Sequence, residues 1–283
     1  MGFSKVLRQW YLQNKRDLPW RMTKEPYAIW LSEVILQQTR VDQGLSYYNR
    51  FLKTFPSVAS LANASEEKVL RLWQGLGYYS RARNLHHSAK YIVKECNGNF
   101  PKTYQELIKL KGVGDYTASA VASICFNEAC AVVDGNVYRV LARYFGIETP
   151  IDSTKGIKEF KALAQELIDT DEPGLHNQAI MEFGARMCKP QNPDCGICPV
   201  ASGCLALAKG IVSKLPVKKG KIKIRNRFFN YIVITTALNE TVLVKRTRGI
   251  WTNLYEFPLI ETESQIDIQD IIEHSEFNEI IGD

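Results

Sequence analysis

The sequence predicts a mainly α-helical body followed by a short α+β module. Apolar residues repeat at helical spacing through most of residues 1–208, and no strand pattern is evident before residue 228. Residues 229–238 and 241–246 then alternate like two strands of a hairpin that turns at Asn239-Glu240. This change of pattern divides the 283-residue chain into two predicted parts.

Charge is distributed unevenly along the chain, whose formal net charge is +6. Residues 231–283 hold 3 Lys and Arg against 10 Asp and Glu, a net charge of −7, which leaves +13 on residues 1–230. A positive body suits a polyanion such as nucleic acid, although simple solubility also explains it. No run of about 18 apolar residues and no signal-peptide core are present, so we expect no membrane partner and a cytoplasmic, nucleoid-associated protein.

A carboxylate interrupts an otherwise apolar helix that begins at Pro26. Apolar side chains cover most of the surface of this helix except at Glu33, with Gln37 one turn later on the same face. A buried carboxyl is unfavourable unless it is paired or functional. Glu33 is therefore either paired with an arginine, or a group of raised pKa that carries a proton at neutral pH.

Glycines, tyrosines and arginines come together at a helix start within residues 75–85. Tyrosines such as Tyr78 can wedge or stack against bases, and arginines such as Arg81 can bind phosphates. A capped surface helix is an equally good interpretation, and the sequence leaves both open.

A tight turn over residues 112–114 joins two helices, because its two glycines allow backbone angles that other residues resist. The second helix begins near Asp115, and its free N–H groups suit a phosphate. Small residues over 118–123 let the two helices approach closely, and an apolar run then leads to Asp134. An ordinary helix–turn–helix connection is the alternative.

Four of the seven cysteines lie within seventeen residues of one another. Their spacing is C-x6-C-x2-C-x5-C, formed by Cys188, Cys195, Cys198 and Cys204. In a chain without a secretion signal, such crowding indicates a metal centre rather than disulfides. By ligand type, zinc and an iron–sulfur cluster both qualify, and reduced free cysteines are the least favoured reading.

These features together resemble the endonuclease III-like helix-hairpin-helix DNA glycosylases over residues 1–208. The hairpin pattern L-x-G-V-G-x-x-T-A, an aspartate about twenty residues later and the cysteine spacing of a [4Fe–4S] loop all match. The phrases LPWR, WLSEVILQQTR, QGLGYYSRARNL, VDGNVYRV and NQAIMEFGA are similar to the adenine glycosylase branch, the MutY family. Endonuclease III keeps a Schiff-base lysine where this chain has Tyr116, which argues against strong lyase activity.

The resemblance implies an all-α, two-lobed helix-hairpin-helix glycosylase domain with a [4Fe–4S] loop. A six-helix lobe would span about 25–132, and a cluster lobe would combine 1–24 with 133–208. The implied activity is excision of adenine opposite 8-oxoguanine or guanine from double-stranded DNA, by a monomer. A related mismatch or oxidised-pyrimidine glycosylase is the alternative, and a non-catalytic DNA-binding iron–sulfur protein is the third possibility.

The resemblance also implies roles for individual residues. Glu33 would protonate the adenine and Asp134 would stabilise the sugar cation. Tyr116 would assist, and Asn136 would orient the acids. The remaining contacts to the adenine pocket or to DNA would come from Trp20, Arg21, Gln37, Gln38, Thr39, Tyr78, Arg81, Gly112, Gly114 and Gln178. Simple packing of Trp20 and a solvated Gln38 are the alternatives for those two positions.

Residues 209–228 hold eight Lys and Arg and no acid, which predicts a basic linker that crosses near DNA, or a solvated one. Residues 229–283 resemble the start of a MutT-like, α+β domain. They lack the Nudix box, so nucleotide hydrolysis is not predicted. About 55 residues are roughly half of such a domain, so we expect an incomplete module whose 8-oxoguanine-probing loop would lie beyond Asp283.

Overall fold

A computed structural model describes residues 2–220, 226–247, 249 and 251–282. Residues 2–220 form one compact unit, and the described residues after 225 form a second. None of the described helices is long and apolar enough to cross a membrane.

The first unit is helical, as the apolar periodicity predicts. Its α-helices are α1 (Phe3–Asn14), α2 (Pro26–Leu36), α3 (Val41–Thr54), α4 (Val58–Ala62), α5 (Glu66–Trp73), α6 (Ser80–Glu95), α7 (Tyr104–Leu107), α8 (Asp115–Phe126), α9 (Gly135–Phe145), α10 (Thr154–Leu167), α11 (Pro173–Arg186) and α12 (Leu205–Ala208). Short 3-10 helices cover Pro19–Arg21, Cys195–Ile197, Ala201–Gly203 and Val212–Lys214.

These helices pack in two groups that meet at α8 and α11. In one group, α2 packs against α3, α6 and α8, while α4 and α5 pack on α6. In the other group, α11 packs against α1 and α9, and α12 packs on α9. Buried aromatic residues fill the core, among them Trp30, Trp73, Phe51 and Phe183. The contact of α8 with α11 brings together residues far apart in the chain.

Part of the predicted linker belongs to the first unit. The backbone N–H groups of Lys219 and Gly220 donate hydrogen bonds to the carboxylate of Asp152, at 2.8 and 2.7 Å. The N–H of Ile151 also donates to the carbonyl of Val217. Residues 209–220 are therefore anchored, whereas linker residues 221–225 lie outside the described residues.

The second unit contains two short antiparallel sheets followed by two helices. Strand β1 (Phe228–Tyr231) pairs with β4 (Leu259–Thr262), and β2 (Val244–Lys245) pairs with β3 (Tyr255–Glu256). The helices are α13 (Ile268–Glu273) and α14 (Ser275–Ile281).

The predicted hairpin of residues 229–238 with 241–246 is wrong in its pairing. The turn at Asn239 is present, but among the described residues only contacts close to it join the two arms: a bridge between Thr235 and Thr241, and hydrogen bonds from Thr236 to Glu240 and from Thr241 to Ile234. Alternation predicts extended backbone without specifying the partner strand, and β1 finds its partner about 30 residues later. The MutT-like character of this unit stays a prediction.

Two glycines of α11 allow its close approach to α8 and α9. A Cβ on Gly184 would lie 2.7 Å from Cβ of Asn136 and 2.9 Å from its carbonyl oxygen. A Cβ on Gly174 would lie 2.8 Å from the carbonyl oxygen of Ser123 in α8. Any larger residue would therefore push apart the helices that surround the central cavity.

We expect Gly184→Ala to lower the free energy of unfolding by about 1 to 3 kcal/mol, the usual cost of overpacking a tight helix contact. Denaturant unfolding of both proteins measures the difference. Gly135→Ala is the matched control, because its added Cβ would meet nothing within 4 Å. Equal stability of Gly184→Ala and the control would contradict this packing argument.

Candidate active site

A cavity of about 690 Å³ opens between α2, α8, α9 and α11. Eight of the predicted site residues line it, namely Trp20, Arg21, Glu33, Thr39, Tyr116, Asp134, Asn136 and Gln178. Six others lie outside its walls, namely Gln37, Gln38, Tyr78, Arg81, Gly112 and Gly114. The fold thus separates the predicted residues into a cavity-lining set and a peripheral set.

Glu33 is the acid that α2 delivers to this cavity. The apolar residues around it bury its carboxyl, and no ion pair within the described part of the chain joins it to an arginine or lysine. The alternative of a structural Glu33–arginine pair is therefore not what the structure contains. Burial raises the pKa of Glu33 to about 7, although a hydrogen bond from Tyr116 opposes the rise.

Asp134 caps the N-terminus of α9 and also lines the cavity. Its Oδ1 accepts hydrogen bonds from the backbone N–H groups of Asn136 and Val137, at 2.9 and 2.8 Å. Its Oδ2 accepts a third from Nδ2 of Asn136, at 2.7 Å. Burial raises the pKa of Asp134, whereas these donated bonds lower it because they stabilise the carboxylate.

Tyr116 lies beside the two acids, on the first turn of α8. Its hydroxyl is 3.3 Å from Sδ of Met181 and within hydrogen-bonding reach of Glu33. Burial, followed by the charges of Glu33 and Asp134, raises the pKa of Tyr116 well above that of an ordinary phenol. The side chain therefore stays neutral and can donate a hydrogen bond, but it offers no amine.

Trp20, Arg21 and Gln178 also line the cavity, and the last two both contact Tyr11. The ring of Trp20 is 6% exposed and packs edge-on against Tyr48, so this residue belongs both to the core and to the cavity wall. The amide oxygen of Gln178 accepts a hydrogen bond from the hydroxyl of Tyr11, at 3.0 Å.

Glu182 is an important residue that sequence reasoning missed. Its side chain is fully buried, and Arg16 and Arg21 each donate to its Oε2 at 2.6 Å. Burial alone would raise the pKa of Glu182, but the two arginines lower it to about 2. The i, i+4 spacing from Gln178 on α11 was the available signal, because it places both residues on one helix face.

Arg139 was also missed, and it connects the cavity with the cysteine loop. Its Nη2 donates to Oδ1 of Asn136 at 2.9 Å and to the carbonyl of Gly184 at 2.6 Å. Its Nε donates to the carbonyl of Cys188 at 2.7 Å. Because Asn136 in turn holds Asp134, the position of this acid depends on both α11 and the loop.

Apart from Arg81, which is on α6, the peripheral residues lie in two turns and in the hairpin. Gln38 and Tyr78 both have left-handed backbone angles, with φ of 54° and 46°, and Tyr78 is 66% exposed. Gln37 points back into the protein, where its Nε2 donates to Oγ1 of Thr117 at 3.2 Å. The helical bonding of α2 has ended by Gln37, so the predicted continuation to Thr39 is corrected to a turn.

Arg81 and the two hairpin glycines are the remaining peripheral residues. Arg81 is buried and donates to backbone carbonyls, so its predicted phosphate contact is corrected to an internal one. Gly112 has φ of 82°, and a Cβ there would lie 2.6 Å from Cβ of Asn84, so a larger residue would not fit. A Cβ on Gly114 would meet nothing within 4 Å, and no side chain caps the N-terminus of α8, so its first backbone N–H groups have no side-chain acceptor there. The phosphate-binding role of the two glycines stays a prediction.

The four clustered cysteines line one cavity whose other walls are mainly apolar. Nη1 of Arg143 lies 3.5 Å from Sγ of Cys188 and 2.7 Å from the carbonyl of Lys189, which ties the loop to α9. No group of three or more His, Cys, Asp or Glu side chains in the described ranges is arranged around a single metal ion. A shared apolar cavity with four thiols fits a larger group, such as an iron–sulfur cluster.

Comparisons with known proteins agree with this geometry. Residues 31–169 match the family model described as "HhH-GPD superfamily base excision DNA repair protein". Residues 188–204, which run from the first to the last of the four cysteines, match the model of the "iron-sulfur binding domain of endonuclease III". The fold and the site thus define a DNA-repair protein of the helix-hairpin-helix class with a [4Fe–4S] loop.

Curated relatives narrow the class. The chain is 37% identical over 270 residues to an adenine DNA glycosylase of Buchnera aphidicola, covering 93% of this chain and 75% of that protein. It is 47% identical over 227 residues to the adenine DNA glycosylase of Mus musculus, covering 76% of this chain and 44% of the mouse protein. The chain belongs to the adenine DNA glycosylase (MutY) family. It spans less than half of the length of the mouse relative.

Solved structures support the fold. A thermostable thymine-DNA glycosylase is 27% identical with a TM-score of 0.68, covering 73% of this chain and 95% of that chain. An endonuclease III–DNA complex is 22% identical with a TM-score of 0.63, covering 74% and 94%, and it supports the fold alone.

We expect Cys198→Ser to remove one thiolate ligand and therefore to reduce the iron and acid-labile sulfide bound per chain to a small fraction of the wild-type content. Chemical analysis of purified protein measures both. Cys96→Ser, at the end of α6 and outside the loop, should retain full content. Equal loss in both variants, or in neither, would contradict the assignment of the loop as the cluster site.

Proposed function

We propose that the protein is a monofunctional DNA glycosylase that removes adenine mispaired with 8-oxoguanine, and less efficiently with guanine. The observation that carries the proposal is a pair of carboxyls on the walls of one cavity, the buried Glu33 on α2 and the half-buried Asp134 at the start of α9. The two carboxyls differ in how their negative charge is stabilised, because Asp134 accepts three hydrogen bonds that Glu33 does not receive.

The first step is proton transfer from Glu33 to N7 of an adenine that has been flipped out of the duplex. A pKa of about 7 keeps a large fraction of this carboxyl protonated at neutral pH. The bond between N9 of the protonated base and C1′ of the sugar then breaks, and its electron pair leaves with the adenine. An oxocarbenium-like cation remains on the sugar.

The second step uses the negative charge of Asp134 to stabilise this cation. The hydrogen bonds from Asn136 and Val137 keep the carboxylate ionised and fix its direction. Water adds to C1′, and the carboxylate of Glu33 accepts the released proton. The products are free adenine and an abasic site, and Glu33 is protonated again.

Tyr116 explains why the reaction would stop at base release. A lyase of this class needs an amine at this position to form a Schiff base with the sugar, and a neutral phenol cannot form one. The hydroxyl can instead donate a hydrogen bond within the acidic pair.

Three other residues of the cavity wall supply groups for binding the base. Trp20 offers an aromatic ring, and Arg21 and Gln178, which both contact Tyr11, offer polar atoms. Glu182 neutralises Arg21 and holds it in place, so the guanidinium direction is set before substrate binds. This arrangement favours a planar, nitrogen-rich base.

The partner we propose is double-stranded DNA, bound by a monomer. The exposed turns at Gln38 and Tyr78 lie outside the cavity, where they could replace the flipped base and contact the opposite one. The open helix start at Gly114 suits a backbone phosphate. When bound, the [4Fe–4S] cluster would hold the loop of residues 188–204 together, and the reaction uses side chains of the protein only.

We expect Glu33→Gln to reduce adenine release by about a hundredfold to ten-thousandfold, because it removes the proton donor without changing the shape of the helix. Single-turnover assays on a duplex with one adenine opposite 8-oxoguanine measure the rate, with alkali applied to half of each sample. Strand breaks should appear mainly after alkali. Glu95→Gln, the same exchange at an exposed position at the end of α6 and outside this cavity, is the control.

Other outcomes would favour other members of the class. Release of thymine opposite guanine, with no adenine release, would indicate a mismatch glycosylase like the thymine-DNA glycosylase that shares the fold. Breaks without alkali at oxidised pyrimidines would indicate an endonuclease III-like lyase. DNA binding without turnover would indicate a non-catalytic protein.

We also expect the rate of base release to fall as pH rises through about 7. Glu33 acts in its protonated form, which predominates below its pKa of about 7 and declines tenfold per pH unit above it. Single-turnover rates between pH 5.5 and 9, chosen as a range of about two units on each side of this pKa, measure the profile. A profile that rises through pH 7 would require Glu33 to act first as a base.

A further inference from the structure

Arg81 is a buried arginine between two exposed turns of the first unit. It lies on the first turn of α6 and its side chain donates to five backbone carbonyls and stacks on the ring of Trp73, 5.0 Å away. No ion pair within the described ranges includes it. Burial lowers its pKa, and the buried charge is compensated by the carbonyl oxygens, by the hydroxyl of Thr39 and by the ring faces of Trp73 and Tyr78.

The two ends of the guanidinium contact two different turns. Nη1 donates to the last carbonyls of α2 and the turn after it, those of Val34, Ile35 and Gln37, at 3.0, 2.9 and 2.6 Å. Nη2 donates to the carbonyls of Leu76 and Gly77, at 3.2 and 3.3 Å. A cation at the C-terminus of α2 is also favoured by the helix dipole.

Each of these turns contains a residue in an unfavourable backbone conformation. Gln38, with φ of 54°, follows the carbonyl of Gln37, and Tyr78, with φ of 46°, follows that of Gly77. A non-glycine residue with positive φ persists only where its surroundings impose it. The same guanidinium holds the carbonyl that precedes each of them.

Neighbouring side chains hold the rest of the second turn. The hydroxyl of Tyr47 donates to the carbonyl of Gln74 at 2.8 Å, and Nε1 of Trp73 donates to that of Gly77 at 3.0 Å. The turn is therefore fixed from inside, while the ring of Tyr78 remains exposed. A turn whose carbonyls are all held from inside presents the exposed ring of Tyr78 in one fixed position. We call such an exposed, rigidly held side chain a probe.

We propose that Arg81 is a positioning residue that couples the two exposed probes, Gln38 and Tyr78, to the helix that carries Glu33. It contacts neither the reacting atoms nor a phosphate. By holding α2 and the two turns together, Arg81 sets the distance from Gln38 and Tyr78 to Glu33. A base that the two probes push out of the stack then arrives within reach of the Glu33 carboxyl. This inference rests on the proposed glycosylase function.

Arginine is specifically required for this role. Its planar fork presents donors from two separate nitrogens, which reach both turns at once. Lysine keeps the charge but presents all its donors from a single nitrogen, so Arg81→Lys should hold one turn and release the other.

The test compares Arg81→Lys with Arg71→Lys, an exposed arginine on α5 directly before the same turn. Base extrusion is measured as the fluorescence of 2-aminopurine placed at the target position of the duplex. The proteins used also carry Glu33→Gln, so that no base release follows extrusion. We expect Arg81→Lys to reduce the fluorescence rise strongly, and Arg71→Lys to leave it unchanged. Thermal unfolding and DNA affinity are measured on the same proteins.

Single-turnover adenine release on two substrates gives the second readout. With Glu33 intact, Arg81→Lys should slow release from a paired adenine by about tenfold or more, and slow release from an adenine in a single-nucleotide bulge much less. Equal slowing on both substrates, or normal extrusion of 2-aminopurine, would overturn the proposal and leave Arg81 a purely structural residue. A wild type that extrudes 2-aminopurine but releases no adenine would remove the proposed function without affecting the role of Arg81.

Discussion

The enclosure of two carboxyls, Glu33 and Asp134, in the walls of one cavity is the constraint on which the rest of the first unit depends. Ionised carboxylates are strongly destabilised away from water unless hydrogen bonds or opposite charges compensate them. Asp134 receives that compensation from the start of α9. Glu33 receives a hydrogen bond from Tyr116 that does not offset its burial, and its pKa rises to about 7. A fold that left both acids equally solvated would have two ordinary carboxylates and no proton donor at neutral pH.

Three arginines stabilise the walls of this cavity and the turns next to it, each through a different set of acceptors. Arg21 forms an ion pair with the fully buried Glu182. Arg139 holds Asn136 on one side and the carbonyl of Cys188 on the other, so the cysteine loop and the acidic pair share a fixed point. Arg81 fixes two turns at the outer edge. Planar, multidentate donors suit these positions, where several acceptors converge on one side chain.

The helix contacts explain why the cysteine loop and the acids occur together. Gly184 on α11 lies against Asn136 on α9, and the loop begins four residues later at Cys188. A cluster that holds the loop therefore also holds the end of α11 and, through Arg139, the start of α9. The [4Fe–4S] group would therefore stabilise the position of Asn136 and Asp134 through the protein chain, without taking part in bond breaking.

The helical class and the cysteine loop could be predicted from the sequence, because apolar periodicity and cysteine spacing are local properties of the chain. Glu33 stood out as an acid on an otherwise apolar helix, and Asp134 was identified through the resemblance to a known family. The pairing of β1 with β4, the buried position of Arg81 and the presence of Glu182 in the cavity became evident from the folded structure alone. Each of these depends on partners that are distant in sequence. A charged residue shows its type in the sequence, but its burial and its acceptors are set by other helices.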